Sequence, residues 1–327
     1  MTRRALRHTR ALVPGVVEER MRVALARQLE RRARSRRAVR GAALVLHDVA
    51  PRAGDPATEI EPAFEAARLH RLVGHLGASY RLVRASELLP AARERRPGEQ
   101  IPIALTFDDD LRSHLEHAAP VVAEHGAVAT AFLCGAERPF WWQRLQAAVD
   151  GGRLTPGDLP GIDAQFVVDA LARRPRAIGR LAFAIEQLEP RRRAALAAGL
   201  DERGGGAPVP LDTEGARGLR DAGWEIGFHS RDHDAMPALD DDALGRALVE
   251  GRERLGEPSP RSFAYPHGKA GPREAAAARA SGYAAAFTGA AEIVTERTDA
   301  HLVGRLQPDR SSVGRFVLRL ARALMVD

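Results

Sequence analysis

From Gly41 onward, short apolar runs bounded by turn residues alternate with segments of helical periodicity. That alternation confines the chain to an α/β architecture with parallel strands. The apolar runs predict strands at 43–46, 80–83, 101–107, 128–133, 224–228, 262–265, 283–287 and 302–306. Helical patterns fall between most of them, at 62–76, 85–95, 113–125, 213–222, 241–255 and 272–280. The expectation is a distorted (β/α) barrel of about seven parallel strands.

One interval departs from the alternation. Between about 137 and 211 strand signals vanish, and Leu, Ile and Phe recur at helical spacing between prolines, which predicts a helical insertion. Residues 203–210, with three consecutive glycines and two prolines, read as its flexible return. The expected organisation is a basic amphipathic arm at 1–40, a barrel at 41–310 carrying the insertion, and an amphipathic C-terminal helix at 311–327.

Charge is divided along the same lines. Residues 1–40 hold 13 arginines against Glu18, Glu19 and Glu30, whereas the rest of the chain carries 36 basic and 40 acidic residues. The net charge of +6 therefore belongs to the arm, and with only 5% aromatic residues the body offers no stacking surface for nucleic acid. Met21, Leu25 and Leu29 follow Val17 at four-residue spacing among arginines, the pattern of an amphipathic helix. This stripe either packs on the domain, the usual outcome for such charge runs, or makes a weak contact with an anionic membrane surface. No run approaches the roughly 20 apolar residues of a membrane span, and no signal peptide is evident, so cytoplasm is the default expectation. Oligomeric state is not legible.

A single cysteine, Cys134, excludes an intramolecular disulfide and any multi-cysteine metal site. A metal would have to use histidine and carboxylate. Two clusters offer them. The strand 101–107 runs into Asp108, Asp109 and Asp110, placed where a barrel strand delivers residues to the catalytic face. Three adjacent carboxylates raise one another's pKa unless a cation is present, so a metal explains the cluster better than helix capping by Asp109 or Asp110, although for Asp110 alone capping is as good a reading. The second cluster, His229-Ser230-Arg231-Asp232-His233, follows another apolar strand and spaces two imidazoles so that they can converge on one ion.

Together these segments resemble the polysaccharide deacetylases of carbohydrate esterase family four. Leu105-Thr106-Phe107-Asp108-Asp109 is similar to the family's Thr-Phe-Asp-Asp-Gly signature, and Ala129-Thr130-Ala131-Phe132-Leu133 to the strand that follows it. His229-Ser230-Arg231-Asp232-His233 resembles the His-Ser/Thr-x-x-His segment, and Phe263-Ala264-Tyr265-Pro266-His267-Gly268 resembles Phe-x-x-Pro-Tyr-Gly. The likeness runs from Leu44 to about Arg305, interrupted by the insertion.

The resemblance implies a division of labour. Asp108 would be the general base, and Asp109, His229 and His233 would hold a divalent metal, zinc being the expected ion. The backbone amide of His267 would stabilise the oxyanion. His47, in Leu46-His47-Asp48-Val49, would protonate the leaving amine. The chain departs from the family at three points. Asp110 replaces the glycine after the Asp pair, Ala264 stands where many members place an arginine against the catalytic carboxylate, and no Asp-x-x-Asp-Trp segment is found. Arg305 resembles a C-terminal strand arginine that could supply the missing charge.

The implied function is metal-dependent removal of N-acetyl groups from amino sugars of a glycan or glycolipid precursor. The alternatives are an O-acetyl esterase or other deacylase using the same residues, and a carbohydrate-binding pseudoenzyme. Trp141 and Trp142 are expected to pack the insertion core rather than to form a sugar platform, His114 and His117 to lie on a solvated helix face, and Cys134 to be buried.

Overall fold

The apolar runs become strands β1 (Ala42–Leu46), β2 (Val49–Ala50), β3 (Phe64–Glu65), β4 (Arg81–Val83), β5 (Pro102–Asp108), β6 (Thr130–Leu133), β7 (Glu225–Phe228), β8 (Ser262–Ala264), β9 (Ala285–Phe287) and β10 (Arg305–Leu306). Before and between them lie helices α1 (Ala5–Ser35), α2 (Ala66–Ser79), α3 (Leu88–Glu94), α4 (Ala119–Glu124), α5 (Trp141–Asp150) and α6 (Ala164–Leu171). The remaining helices are α7 (Ala177–Glu186), α8 (Pro190–Gly199), α9 (Thr213–Asp221), α10 (Asp241–Ala247), α11 (Pro272–Ala280) and α12 (Val313–Ala323). This computed structural model describes residues 5–201 and 203–326; residues 1–4 of the arm and residue 327 lie outside the described residues.

The main sheet is wholly parallel, in the order β10-β1-β5-β6-β7-β8-β9. β4 joins the first residues of β5, and β6 pairs with its last three. A parallel bridge between Phe287 and Val303 brings β9 alongside the approach to β10, so the sheet curls into a nearly closed barrel, as the strand count predicts.

Side-chain alternation explains the two sides of this barrel. Ala42, Leu44, Ile103, Leu105 and Phe107 join the main core under the surrounding helices, whereas Ala43, Ala104, Phe132, Ala264, Phe287 and Val303 pack together in the interior. The same period of two on β5 places Asp108 with Ala104 and Thr106, on the inner side. The helices of the insertion enclose a third cluster of their own, built on Leu145, Val149, Val167, Ile178, Leu181 and Ile185.

Four differences from the expected elements have physical causes. Residues 62–65 do not start the first helix of the barrel, because Phe64 and Glu65 pair with Val49 and Ala50 in a small parallel ribbon. The helix expected at 113–125 opens as a π turn at His114–Ala118, where Pro120 lacks the amide that would continue the regular ladder. The helix expected to reach 255 ends at Ala247, ahead of Gly251 with φ 89°. On α1, the stripe that was expected to pack does so only at Leu29, while Val17, Met21 and Leu25 are exposed. The opposite face carries the contact, with Ala26, Glu30 and Ala33 buried and Glu19 accepting from Ser312 Oγ and Gly314 N at the start of α12. Buried Glu30 accepts from Tyr80 Oη at 3.0 Å and pairs with His75 at 2.8 Å, tying the arm to the barrel. No helix among the described residues is long and apolar enough to cross a membrane.

Candidate active site

Parallel strands of a barrel deliver their C-terminal ends to one face. Asp108 ends β5 and Asp109 follows it, His229 follows β7, His267 lies in the turn after β8, His47 follows β1, and Arg305 opens β10. His233 comes one tight turn after His229. All seven line a single cavity of about 620 Å³.

Three of them converge. Asp109, His229 and His233 place one potential ligand atom each within 4.8 Å of one another. Asp109 Oδ1 lies 3.8 Å from His229 Nε2 and 3.4 Å from His233 Nε2. The Nδ1–H of His229 donates to the carbonyl of Ala264 at 2.7 Å, which leaves Nε2 facing the cluster with its lone pair. Burial pushes the His229 imidazolium down to about 4 and lowers His233 well below the ordinary histidine value, which favours the neutral form of both rings. Asp109 shows the converse strain. Burial, opposed by His47 but reinforced by Asp108 and Glu61, raises its carboxyl to about 7, and its Oδ1 is buried without a hydrogen-bond partner. Two neutral imidazoles around an orphaned buried carboxylate oxygen form a donor set that fits a divalent cation.

Asp108 is treated differently by its neighbours. Burial would raise its pKa, but a bidentate contact from Arg305, at 2.6 and 2.7 Å, holds it down to about 2. Arg305 also donates to Thr106 Oγ1 at 3.3 Å and to the Thr288 carbonyl at 3.1 Å, and its guanidinium lies 5.6 Å from the Phe132 ring centre. The small side chain of Ala264 is part of the same interior layer, so β10 occupies the space and supplies the charge.

Two further carboxylates reach the cavity, and neither is marked by the sequence motifs. Glu61, on the segment between β2 and β3, lies 3.8 Å from His47 Nδ1 and accepts from Arg310 at 2.9 Å. Burial alone would lower His47, but Glu61, Asp109 and Asp108 together hold its pKa above the ordinary histidine value. Glu186, the last residue of α7, pairs with His267 Nδ1 at 3.0 Å and thereby joins the insertion to the barrel. Both pairings join segments distant in sequence, so no local spacing announces them.

The insertion also provides a wall. Trp142 lines the cavity, stacks on Phe140 at 4.3 Å and 4°, and lies 4.8 Å from His233. The expected core-packing role thus fits Trp141, which also packs on the insertion cluster, better than Trp142. His114 is fully buried rather than solvated: it contacts Phe107 and pairs with the carbonyl of His47 at 3.2 Å.

Asp110 neither joins the metal-ligand cluster nor caps the helix that follows. Its carboxylate accepts from the amides of Cys134 at 2.9 Å, Gly135 at 3.3 Å and Ala136 at 2.6 Å, clamping the loop after β6. The left-handed turn belongs instead to Asp109, at φ 76°. Asp109, Ser230, His233 and His267 are four of six non-glycine residues with positive φ among the described residues. Strained backbone is concentrated at this site. At Gly268, φ 66°, an added Cβ would fall 2.5 Å from Gly289 N, so the turn carrying His267 admits only glycine there.

Fold and cavity together define a class. Residues 183–286 match the family model described as polysaccharide deacetylase, a span that contains His229, His233 and His267 but not the Asp108-Asp109 strand. Among solved structures, the chain is similar to the deacetylase PplD of Streptococcus pyogenes in complex with acetate, with a TM-score of 0.59 and 11% identity over 86% of this chain and 98% of that one. It is also similar to IcaB from Ammonifex degensii, at 0.53 and 18% over 88% and 98%, and to a polysaccharide deacetylase from Bacillus cereus, at 0.54 and 13% over 87% and 69%. No curated protein sequence matches it. The resemblance to the polysaccharide deacetylases read from the motifs is borne out by the family model and by the fold.

Proposed function

We propose that the protein is a metal-dependent deacetylase that hydrolyses the N-acetyl group of an amino sugar. The observation that carries this reading is the convergence of Asp109, His229 and His233 beside an ionised Asp108 in one cavity. A divalent ion held by those three residues, with zinc the best match to two imidazoles and one carboxylate, supplies Lewis acidity and lowers the pKa of water.

The remaining chemistry belongs to the chain. Asp108, oriented by both arms of the Arg305 guanidinium, accepts the proton of the attacking water through a free lone pair. The amide of His267 donates to the carbonyl oxygen as charge develops there. His47, whose pKa Glu61 and the two aspartates hold above the ordinary histidine value, hands a proton to the departing nitrogen. A histidine acid at this position favours an amide over an ester, because an amine must gain a proton to leave whereas a sugar alkoxide depends on it less. Trp142 presents an apolar wall against which the sugar ring can lie.

Acetate release from matched N-acetylated and O-acetylated sugars tests the assignment. Turnover of the N-acetyl compounds, falling by about 10² or more in His47→Gln, supports it. Exclusive turnover of the O-acetyl compounds replaces it by the esterase reading.

A further inference from the structure

Helix α1 keeps its two kinds of charge apart. The arm has only three acidic residues, and all are engaged: Glu18 pairs with Arg22, Glu19 accepts from Ser312 Oγ and Gly314 N, and Glu30 is buried against Tyr80 and His75. Arg20, Arg27, Arg31 and Arg32 are exposed, and none has a hydrogen-bond or ion-pair partner among the described residues. Seating the helix on the domain therefore turns Glu19 and Glu30 inward and leaves the basic charge outside.

These arginines border the exposed apolar residues. Val17, Met21 and Leu25 recur every four residues and are 49%, 67% and 41% exposed, so on a helix they form one outward line. Ala24 and Gln28, beside that line, are exposed and uncharged. Helical spacing sets Arg20, Arg27 and Arg31 along one flank, and Arg32 one turn beyond Gln28 at the end of the line. The opposite face, with Ala26, Glu30 and Ala33, is the one buried on the domain.

We propose that the outward face of α1 docks the protein on an anionic lipid surface, with Val17, Met21 and Leu25 entering the headgroup boundary and the flanking arginines meeting lipid phosphates. A guanidinium on a long apolar stem reaches the headgroups while the residues beside it lie deeper, the arrangement that a helix lying flat in a membrane interface requires. The rest of the chain, with 36 basic and 40 acidic residues, is not drawn to such a surface, so the arm sets the orientation. A second copy of the chain would bring one row of unpaired arginines against another. Nucleic acid would satisfy the arginines but leave the apolar line in water. None of these residues lines the catalytic cavity, so the docking face is independent of the deacetylase reading.

Co-sedimentation of the full chain with vesicles tests the proposal, using phosphatidylcholine alone and phosphatidylcholine with about one-third phosphatidylglycerol. Partitioning onto the anionic vesicles is expected to exceed that onto the neutral ones by roughly 30-fold or more, and to fall steeply as salt rises. Met21→Ser combined with Leu25→Ser should weaken it by about tenfold or more. Arg27→Glu combined with Arg31→Glu should weaken it at least as much, whereas Arg27→Lys with Arg31→Lys should retain it. All four positions are exposed, so the variants should melt at the wild-type temperature. Equal partitioning onto the two kinds of vesicle, or anionic binding indifferent to both the serine and the glutamate pairs, overturns the proposal. So does a dimer in sedimentation velocity that the serine pair dissolves, with no vesicle binding, which gives the face to a second copy. Salt-sensitive binding to duplex DNA without vesicle binding likewise overturns it and gives the face to nucleic acid.

Discussion

The guanidinium of Arg305 on β10 meets the carboxylate of Asp108 on β5 with both of its terminal nitrogens, at 2.6 and 2.7 Å, although 197 positions separate the two residues. β1 lies between β10 and β5 in the sheet, so the pair spans it on the inner side of the barrel. Each side chain is 3% exposed, which makes the contact a buried ion pair rather than a surface one.

Arg305→Gln should therefore cost about 3–5 kcal/mol of stability, because it strands a buried carboxylate. The pH dependence has a definite sign. Asp108 is held at about 2 in the folded chain, below the ordinary carboxylate value near 4, so the stabilisation is fully present above about pH 4 and is lost as pH falls towards 2. In the variant, burial acts without Arg305, the Asp108 pKa rises, and stability instead declines as pH rises through the carboxylate range. Urea unfolding across pH 3–8 compares the two proteins, and parallel pH profiles would show that Arg305 does not control Asp108.

Asp110 provides a contrasting prediction. Replacing it by glycine removes the acceptor for three amides and should cost about 2–4 kcal/mol, while Asp110→Asn, which retains one acceptor oxygen, should cost about half as much. The pH–rate profile of the surviving folded protein should stay where it was, since Asp110 serves the loop after β6. A profile displaced by a full unit would place its charge at the reacting centre instead.

The two aspartates show how much of the site was legible in the sequence. The end of strand 101–107 marked Asp108 and Asp109 for the catalytic face, and the grouping with His229 and His233 came from the ordered motifs that resemble the deacetylase family. The role of Asp110 was not legible, since its partners lie on the loop after the next strand. Glu61 and Glu186 were missed for the same reason: each reaches its histidine through packing that no local pattern encodes. The arm misled in another way. Its most regular apolar stripe faces out at Val17, Met21 and Leu25 and packs only at Leu29, and the fully buried contacts are made by small residues and by Glu30, which hydropathy alone cannot distinguish from a solvated face.

His47 should set the alkaline limb of activity. Its pKa lies above the ordinary histidine value because of Glu61, Asp109 and Asp108, which outweigh burial, so kcat/KM should fall as pH rises through that raised value. Glu61→Gln removes one anion, destabilises the imidazolium, and should move the limb to lower pH without abolishing turnover. An alkaline limb unmoved by this substitution would detach Glu61 from proton transfer.

The central claim is that Asp109, His229 and His233 hold a divalent ion on which deacetylation depends. The most direct test is metal content by elemental analysis, measured with acetate release, in the wild-type chain and in His229→Ala and His233→Ala, before and after chelation and zinc addition. The account predicts one ion per wild-type chain, activity lost on chelation and restored by zinc, and little metal or activity in either variant, because two remaining ligands hold a divalent ion poorly. Full metal occupancy in both variants, or acetate release that survives complete chelation, would contradict it.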